Sequence, residues 1–242
     1  MKYIIDGHYD ILMDVVARRK KGERQVIRRR YYPAFQKGGV TGIVASIFVD
    51  SQYLPYGALS VAMEQISALH CEIEETPDLL MLCTSADDFL RAAETGRIGF
   101  LLSFEGAEPV SSCLLLHGFY AAGVRGLGLA WSRRNAAADG CDFSGSLKKG
   151  GLTEFGRELV KEAEDLHMIQ MGGQSVLVGG NTGTGGQETA PVESHRSAAA
   201  GDLPHLAVGQ VPVAAGNGPG VGVGGDHRAG GDGEHVLHPF VA

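Results

Sequence analysis

The chain has 242 residues, a formal net charge of −7 and 44% hydrophobic residues, an ordinary balance for a globular protein. Its acidity excludes a dedicated nucleic-acid binder, which needs a basic surface to meet phosphate. No apolar run approaches the ~20 residues of a membrane helix, and MKYIIDGHYD lacks the apolar stretch and cleavage site of a secretory signal.

Tyr3-Ile4-Ile5 reads as a strand running into the loop Asp6-Gly7-His8-Tyr9-Asp10. The basic stretches Arg18 to Lys21 and Arg28 to Arg30 read as a solvated helix face or loop, with an anion grip as the alternative. Val40 to Val49 is a β-branched run suited to a buried strand. Leu59 to Glu75 has helical spacing, with Ala62, Ile66, Leu69 and Ile73 on one face and Pro77 as the stop. Leu79 to Cys83 is a short strand or extended segment. Ser85 to Glu94 predicts a helix capped by Ser85, with Asp88 three residues on. Gly99 to Phe104 is another buried strand and ends in Glu105-Gly106. His117 to Ala122 reads as helix and Val124 to Trp131 as strand. Leu152 to Leu166 is an amphipathic helix capped by Thr153, and Met168-Ile169 opens a further strand.

Strands alternating with helices predict βα units on a parallel sheet. The expected fold class is α/β, a TIM-like (β/α)8 barrel present as its N-terminal half. A doubly wound sheet is the alternative, but it usually carries a GxGxxG first turn, and none is present there. The pattern breaks near residue 170, so the expected division is 1–170, half a barrel, and 171–242, an atypical tail. The chain has 36 Gly, about twice the usual ~7%. Half of them, 18, fall in the last 71 residues, which contain no Ile, Lys, Tyr, Trp or Cys. Such a tail reads either as a low-complexity extension or as GC-rich DNA translated in the wrong frame. Cys71, Cys83, Cys113 and Cys141 show no CxxC spacing, which predicts reduced thiols in a cytoplasmic protein rather than a disulfide framework.

In parallel βα folds, functional groups sit at the carboxyl ends of the strands. His8 and Asp10 are alternate residues of an extended segment and so point the same way. An imidazole and a carboxylate suit a divalent metal such as Zn2+; the plain alternative is a hydrogen-bonded His beside a turn-forming Asp. Glu105 follows an apolar strand. Buried, it is costly without a partner, and a metal would supply one; at a loop entrance, water would do so. Asp6 reads as a group orienting His8 or as a turn residue.

These segments closely resemble the membrane (renal-type) dipeptidase family. The resemblance lies in DGHYD, FEG, VRGLGLAWSRRN and GLTEFGRELVKEAEDLHMI, in that order, across residues 1 to 170. It implies a barrel of the amidohydrolase type with a binuclear zinc centre that hydrolyses dipeptides. His8 and Asp10 would bind one zinc, and Glu105 would bridge both as ligand and catalytic group. The family often has a His after the fourth of these strands. This chain has Ala130-Trp131-Ser132-Arg133-Arg134-Asn135 there, leaving Trp131 as a pocket wall or core residue. The family also takes further ligands from Asp-Val-Ser-His, Ser-His-Ser and Gly-Ser-Asp-Phe patterns after later strands. At the first of these positions stands Gln170-Met171-Gly172-Gly173-Gln174, and His195 and Asp226 only echo the others.

The leading expectation is therefore a zinc dipeptidase with a dipeptide substrate, neither nucleic acid nor membrane as partner, and impaired activity. Two alternatives are a truncated, non-catalytic fragment that pairs its open edges, as in a homodimer, and another metal-dependent hydrolase of the amidohydrolase type. If the tail is a frame error, an alternative frame beyond the codon for Ile169 will encode apolar-periodic sequence. Two unpatterned alternative frames would refute that reading.

Overall fold

The computed structural model of the chain describes residues 3–143 and 151–171. The described residues hold β1 (Ile5–Tyr9), α1 (Leu12–Lys20), α2 (Tyr32–Gly38), β2 (Gly42–Ile47), α3 (Ala58–Glu75) and β3 (Leu80–Leu82). They continue with α4 (Ala86–Glu94), β4 (Ile98–Phe104), α5 (Cys113–Ala121), β5 (Val124–Gly128), α6 (Glu154–Asp165) and β6 (Ile169–Met171). The tail expected from residue 171, with His195 and Asp226, lies outside the described residues beyond Met171.

All strand pairs are parallel, in the order β1-β2-β4-β5-β6. β2 runs along one edge of β4. On the other edge β3 takes Ile98 to Phe100 and β5 takes Leu102 to Phe104. The main order follows the chain without reversing. A doubly wound sheet reverses at its switch point, whereas a barrel wall advances strand by strand. The fold is thus a parallel half-barrel, and the doubly wound alternative falls on strand order.

All seven residues of β4 are buried, which explains its continuous apolar sequence. Phe89 of α4 lies against Gly42 and Gly99, register partners on β2 and β4. A Cβ at either glycine would come within 2.8 Å of that ring, so the glycines set how closely the helix packs. The predicted capping box forms: Asp88 N donates to Ser85 Oγ at 3.2 Å, and Ser85 N donates back to Asp88 Oδ2 at 3.0 Å. Thr153 caps α6 through the amide of Gly156 at 2.9 Å.

Several boundaries differ from the sequence reading. The segment after Asp10 folds as α1, a π-helical turn at Ile27–Tyr31, and α2. The basic residues there belong mostly to ion pairs. Arg19 meets Glu72 at 2.5 Å and Glu75 at 2.7 Å, and Arg18 meets Asp14 at 2.6 Å. α5 starts at Cys113 rather than His117, because Ser112 accepts from the amide of Leu115. β5 ends at Gly128, after which the backbone turns to build the loop at Asn135. The Asn135 side chain accepts from the amides of Ala137 and Ala138 and donates to Leu129 O. No helix among the described residues is long and apolar enough to cross a membrane.

Glu72 is fully buried on α3. It accepts from Arg19 and, at 2.9 Å, from the amide of Ile27, joining α3 to α1 and to the π-helical turn. Removing one partner from a buried ion pair leaves the other charge uncompensated. Glu72→Ala is expected to lower unfolding free energy by about 3 kcal/mol. Ser85→Ala, at the exposed cap, should lower it by about 1 kcal/mol. Urea denaturation followed by circular dichroism distinguishes the two magnitudes.

Candidate metal centre

β1, β2 and β4 are consecutive neighbours, so their carboxyl ends open onto one side of the sheet. Tyr9 packs into the core edge-on to Tyr31 and Phe35. The strand's alternation then turns His8 and Asp10 to the opposite side. His8 Nε2 lies 3.4 Å from Asp10 Oδ1 and 3.9 Å from Glu105 Oε1. The His8 and Asp10 side chains are 50% and 59% exposed, whereas that of Glu105 is 15% exposed. Asp6 does not touch the imidazole; its carboxylate accepts from the backbone amide of His8 at 3.1 Å.

The three expected residues therefore converge, offering one ligand atom each within 4.8 Å of one another. One ion at ~2.1 Å from each donor would hold nitrogen and oxygen ligands no more than ~4.2 Å apart. The two His8 separations, 3.4 and 3.9 Å, meet that limit. The donor set of one imidazole and two carboxylates suits Zn2+ and related divalent ions.

Without an ion, the groups perturb one another. The hydrogen bond with Asp10 raises the His8 pKa above its ordinary 6.5, against the opposing effect of burial. The same bond holds Asp10 below its ordinary 3.8. Burial pushes Glu105 above 4.5, and the charge of Asp10 adds to the rise, while His8 and a hydrogen bond from Ser46 oppose it. The site thus keeps one carboxylate readily ionised and charges the other at a cost.

Sequence reasoning missed three contributors. Ser46, on β2, donates to Glu105 Oε2 at 3.1 Å and also reaches Asp10. Its only signal was a hydroxyl inside an apolar strand. Glu108 packs over Gly106 beside Glu105 and pairs with Arg133 at 3.2 Å. Arg133 also donates to Ser51 Oγ at 2.8 Å and to Val49 O, tying the loops after β2, β4 and β5 together. Nothing in the local spacing pairs an Arg with a Glu 25 residues away. Trp131 is 41% exposed and stands edge-on to Phe48 at 5.6 Å. It lines a small recess with Gly106, Glu108 and Arg133, which makes it a wall residue and not core.

Residues 2–171 match the family described as membrane dipeptidase (peptidase family M19). Dipeptidase verJ of Clonostachys rogersoniana is 31% identical over 122 residues, covering 50% of this chain and 30% of that protein. An uncharacterised protein in the pqqA 5′ region of Klebsiella pneumoniae is 33% identical over 119 residues, covering 48% of this chain and 44% of its own length. Among solved structures, a metallopeptidase from Rhodobacter sphaeroides liganded with a phosphinate mimic of L-Ala-D-Ala is 26% identical with a TM-score of 0.61. That match covers 69% of this chain and 57% of the other. Dipeptidase AC, a metallopeptidase of family M19, is 27% identical with a TM-score of 0.60, covering 69% and 55%. The chain therefore spans under half of these curated relatives and somewhat over half of the two structures.

The pKa directions give the sign of the His8 and Asp10 contributions to stability in the ion-free chain. His8 gains a partner on folding, so its contribution to stability is full below pH 6.5 and is lost as pH rises through the raised folded-state value. Asp10 contributes above pH 3.8, and that contribution is lost as pH falls through its lowered value. An NMR titration of the His8 ring should place its midpoint above 6.5, and Asp10→Asn should move it down. An unmoved midpoint in the variant would contradict the pairing.

Proposed function

Because the chain belongs to the membrane dipeptidase family, peptidase family M19, we propose that it carries the first half of a zinc-dependent dipeptidase site, with His8, Asp10 and Glu105 as metal ligands. The observation that carries this reading is the convergence of one imidazole and two carboxylates, drawn from β1 and the end of β4, within 4.8 Å. Such a set is electrostatically incomplete. Two carboxylates share one imidazole, and the less exposed of them, Glu105, resists ionisation. A divalent ion offsets that charge and, when bound, supplies Lewis acidity towards a peptide carbonyl and an acidified water.

The chain's own residues divide the remaining work. His8 presents a neutral nitrogen once its proton is lost, so binding strengthens as pH rises through its pKa. Asp10 fixes the imidazole and stays ionised. Glu105 contributes charge from a sheltered position between the strand ends and would serve as a shared ligand if the binuclear centre implied for the family were loaded. The exposed face of Trp131 and the recess beside Glu108 border the space a dipeptide would enter. Dipeptide is the proposed substrate class, in keeping with the L-Ala-D-Ala mimic in the Rhodobacter sphaeroides relative. Hydrolysis is proposed to be impaired in this chain, because Gln170 and Met171 stand where family ligands to a second ion are expected to begin.

Zinc titration with a chromophoric chelator, together with hydrolysis of L-Ala-D-Ala, tests this reading. One tightly held zinc per chain is expected, with turnover below ~1 s⁻¹, the low end for enzymes. Glu105→Gln should weaken zinc binding by more than the ~10–100-fold typical of losing an outer partner. The same substitution should leave the ion-free chain no less stable at neutral pH, because it removes a charge that burial penalises. Zinc binding indifferent to His8, Asp10 and Glu105 substitutions would overturn the assignment.

A further inference from the structure

β2 reads Gly-Ile-Val-Ala-Ser-Ile, and Ser46 is its single polar side chain. Ser46 is 3% exposed. A hydroxyl at that depth is destabilising unless bonded, and an alanine or valine would suit the strand better on packing grounds. The register partner across the sheet is Ser103 on β4. The Ser103 hydroxyl donates elsewhere, to Phe104 O at 3.4 Å. Ser46 instead donates to Glu105 Oε2 at 3.1 Å. Among the described residues this is the one side-chain hydrogen bond made to the Glu105 carboxylate. The other close polar contact is His8 Nε2, which faces the opposite oxygen, Oε1, at 3.9 Å.

The two contacts define the attitude of the carboxylate. One oxygen is held from the β2 side and the other is turned towards β1. Glu has three rotatable bonds before its carboxylate, and a mobile carboxylate must be ordered whenever it binds. A hydroxyl has one proton to donate; Asp10 is also within its reach, but the 3.1 Å contact directs the proton to the Glu105 carboxylate, the stronger class of hydrogen bond. The oxygen that accepts it keeps a second lone pair, so the bond orients Oε2 without blocking it.

We infer that Ser46 is a positioning residue for the metal centre, whose hydroxyl fixes the plane of Glu105 so that Oε1 faces His8. This rests on the metal-site reading proposed above and adds a residue on β2 to it. Outer partners of this kind orient ligands, and their loss typically costs ~10–100-fold in metal affinity.

The test compares zinc affinity, by chelator competition, in the wild-type chain, Ser46→Ala, Ser46→Thr and Glu105→Gln, with the visible spectrum of the Co2+-loaded forms as a second readout. Ser46→Ala is expected to bind zinc at least about tenfold more weakly and to shift the Co2+ bands. Ser46→Thr keeps the hydroxyl and should restore both affinity and spectrum to near wild type. Circular dichroism of the ion-free forms checks that each variant folds. Equal affinity and spectrum in Ser46→Ala and wild type, with Glu105→Gln weakened, would overturn the role of Ser46 and leave the metal site standing. Weak binding by Ser46→Thr as well would also overturn it, because packing rather than the hydroxyl would then set affinity. A wild-type chain that takes up no zinc would overturn both readings.

Discussion

Two carboxylates from different strands approach one another with a single imidazole between them. Asp10 follows β1, Glu105 follows β4, and β2 runs between those strands. Only parallel strands with a common direction can bring their ends to the same side in this way. The helices, caps and glycine-lined packing of this half-barrel serve that delivery. Once it is made, electrostatics sets the problem. Glu105 is sheltered, its charge is disfavoured by burial, and Asp10 adds like charge nearby. His8 can answer both only while it is protonated. The group best able to answer both at neutral pH is a cation that does not titrate.

Rigidity comes from two ionic clamps at different levels of the molecule. Arg19 reaches from α1 to Glu72 and Glu75 on α3, and Glu75 also receives the amide of Gln25, which sits at a φ of 52°. That clamp holds the outer layer, including a backbone conformation a Gln rarely adopts. Arg133 holds the loops at the carboxyl ends, pairing with Glu108 and the backbone after β2. The first clamp supports the strands from outside; the second supports the rim around their functional ends. Neither touches His8 or Asp10, which leaves the more exposed part of the centre able to adjust.

The sequence made the strands and the three candidate ligands legible because both signals are local. Apolar runs mark buried parallel strands, and alternation within DGHYD decides that His8 and Asp10 share a face. Ser85 and Thr153 announced helices through the same short-range chemistry. What stayed hidden depends on pairs distant in sequence. Ser46 and Glu105 are 59 residues apart, and Arg133 and Val49 are 84 apart. Only the register of β2 against β4 brings the first pair together. The helix α1 was obscured by its own charges. Its last turn is Arg18, Arg19 and Lys20; Arg18 pairs within reach of its own helix, with Asp14, but the acidic partners of Arg19 and Lys20 lie far along the chain on α3. Trp131 fits wall and core equally in the sequence; the end of β5 at Gly128 and the exposure of the indole decide for the wall.

The position of β1 has a consequence for how such a centre and the fold depend on each other. Among the described residues β1 pairs on one edge only, with β2. Of the three proposed ligands, His8 lies on this strand and Asp10 directly follows it, and a strand paired on one edge, as β1 is among the described residues, frays more readily than one paired on both. The third, Glu105, directly follows β4, whose seven residues are all buried. An ion shared between them would act as a crosslink across β2, fastening the margin of the sheet to its centre. Occupancy and local order would then be one equilibrium, since binding that requires a formed site contributes directly to the stability of that site. Amide exchange along Ile5–Tyr9 would slow with metal concentration, while exchange in β4 would scarcely change.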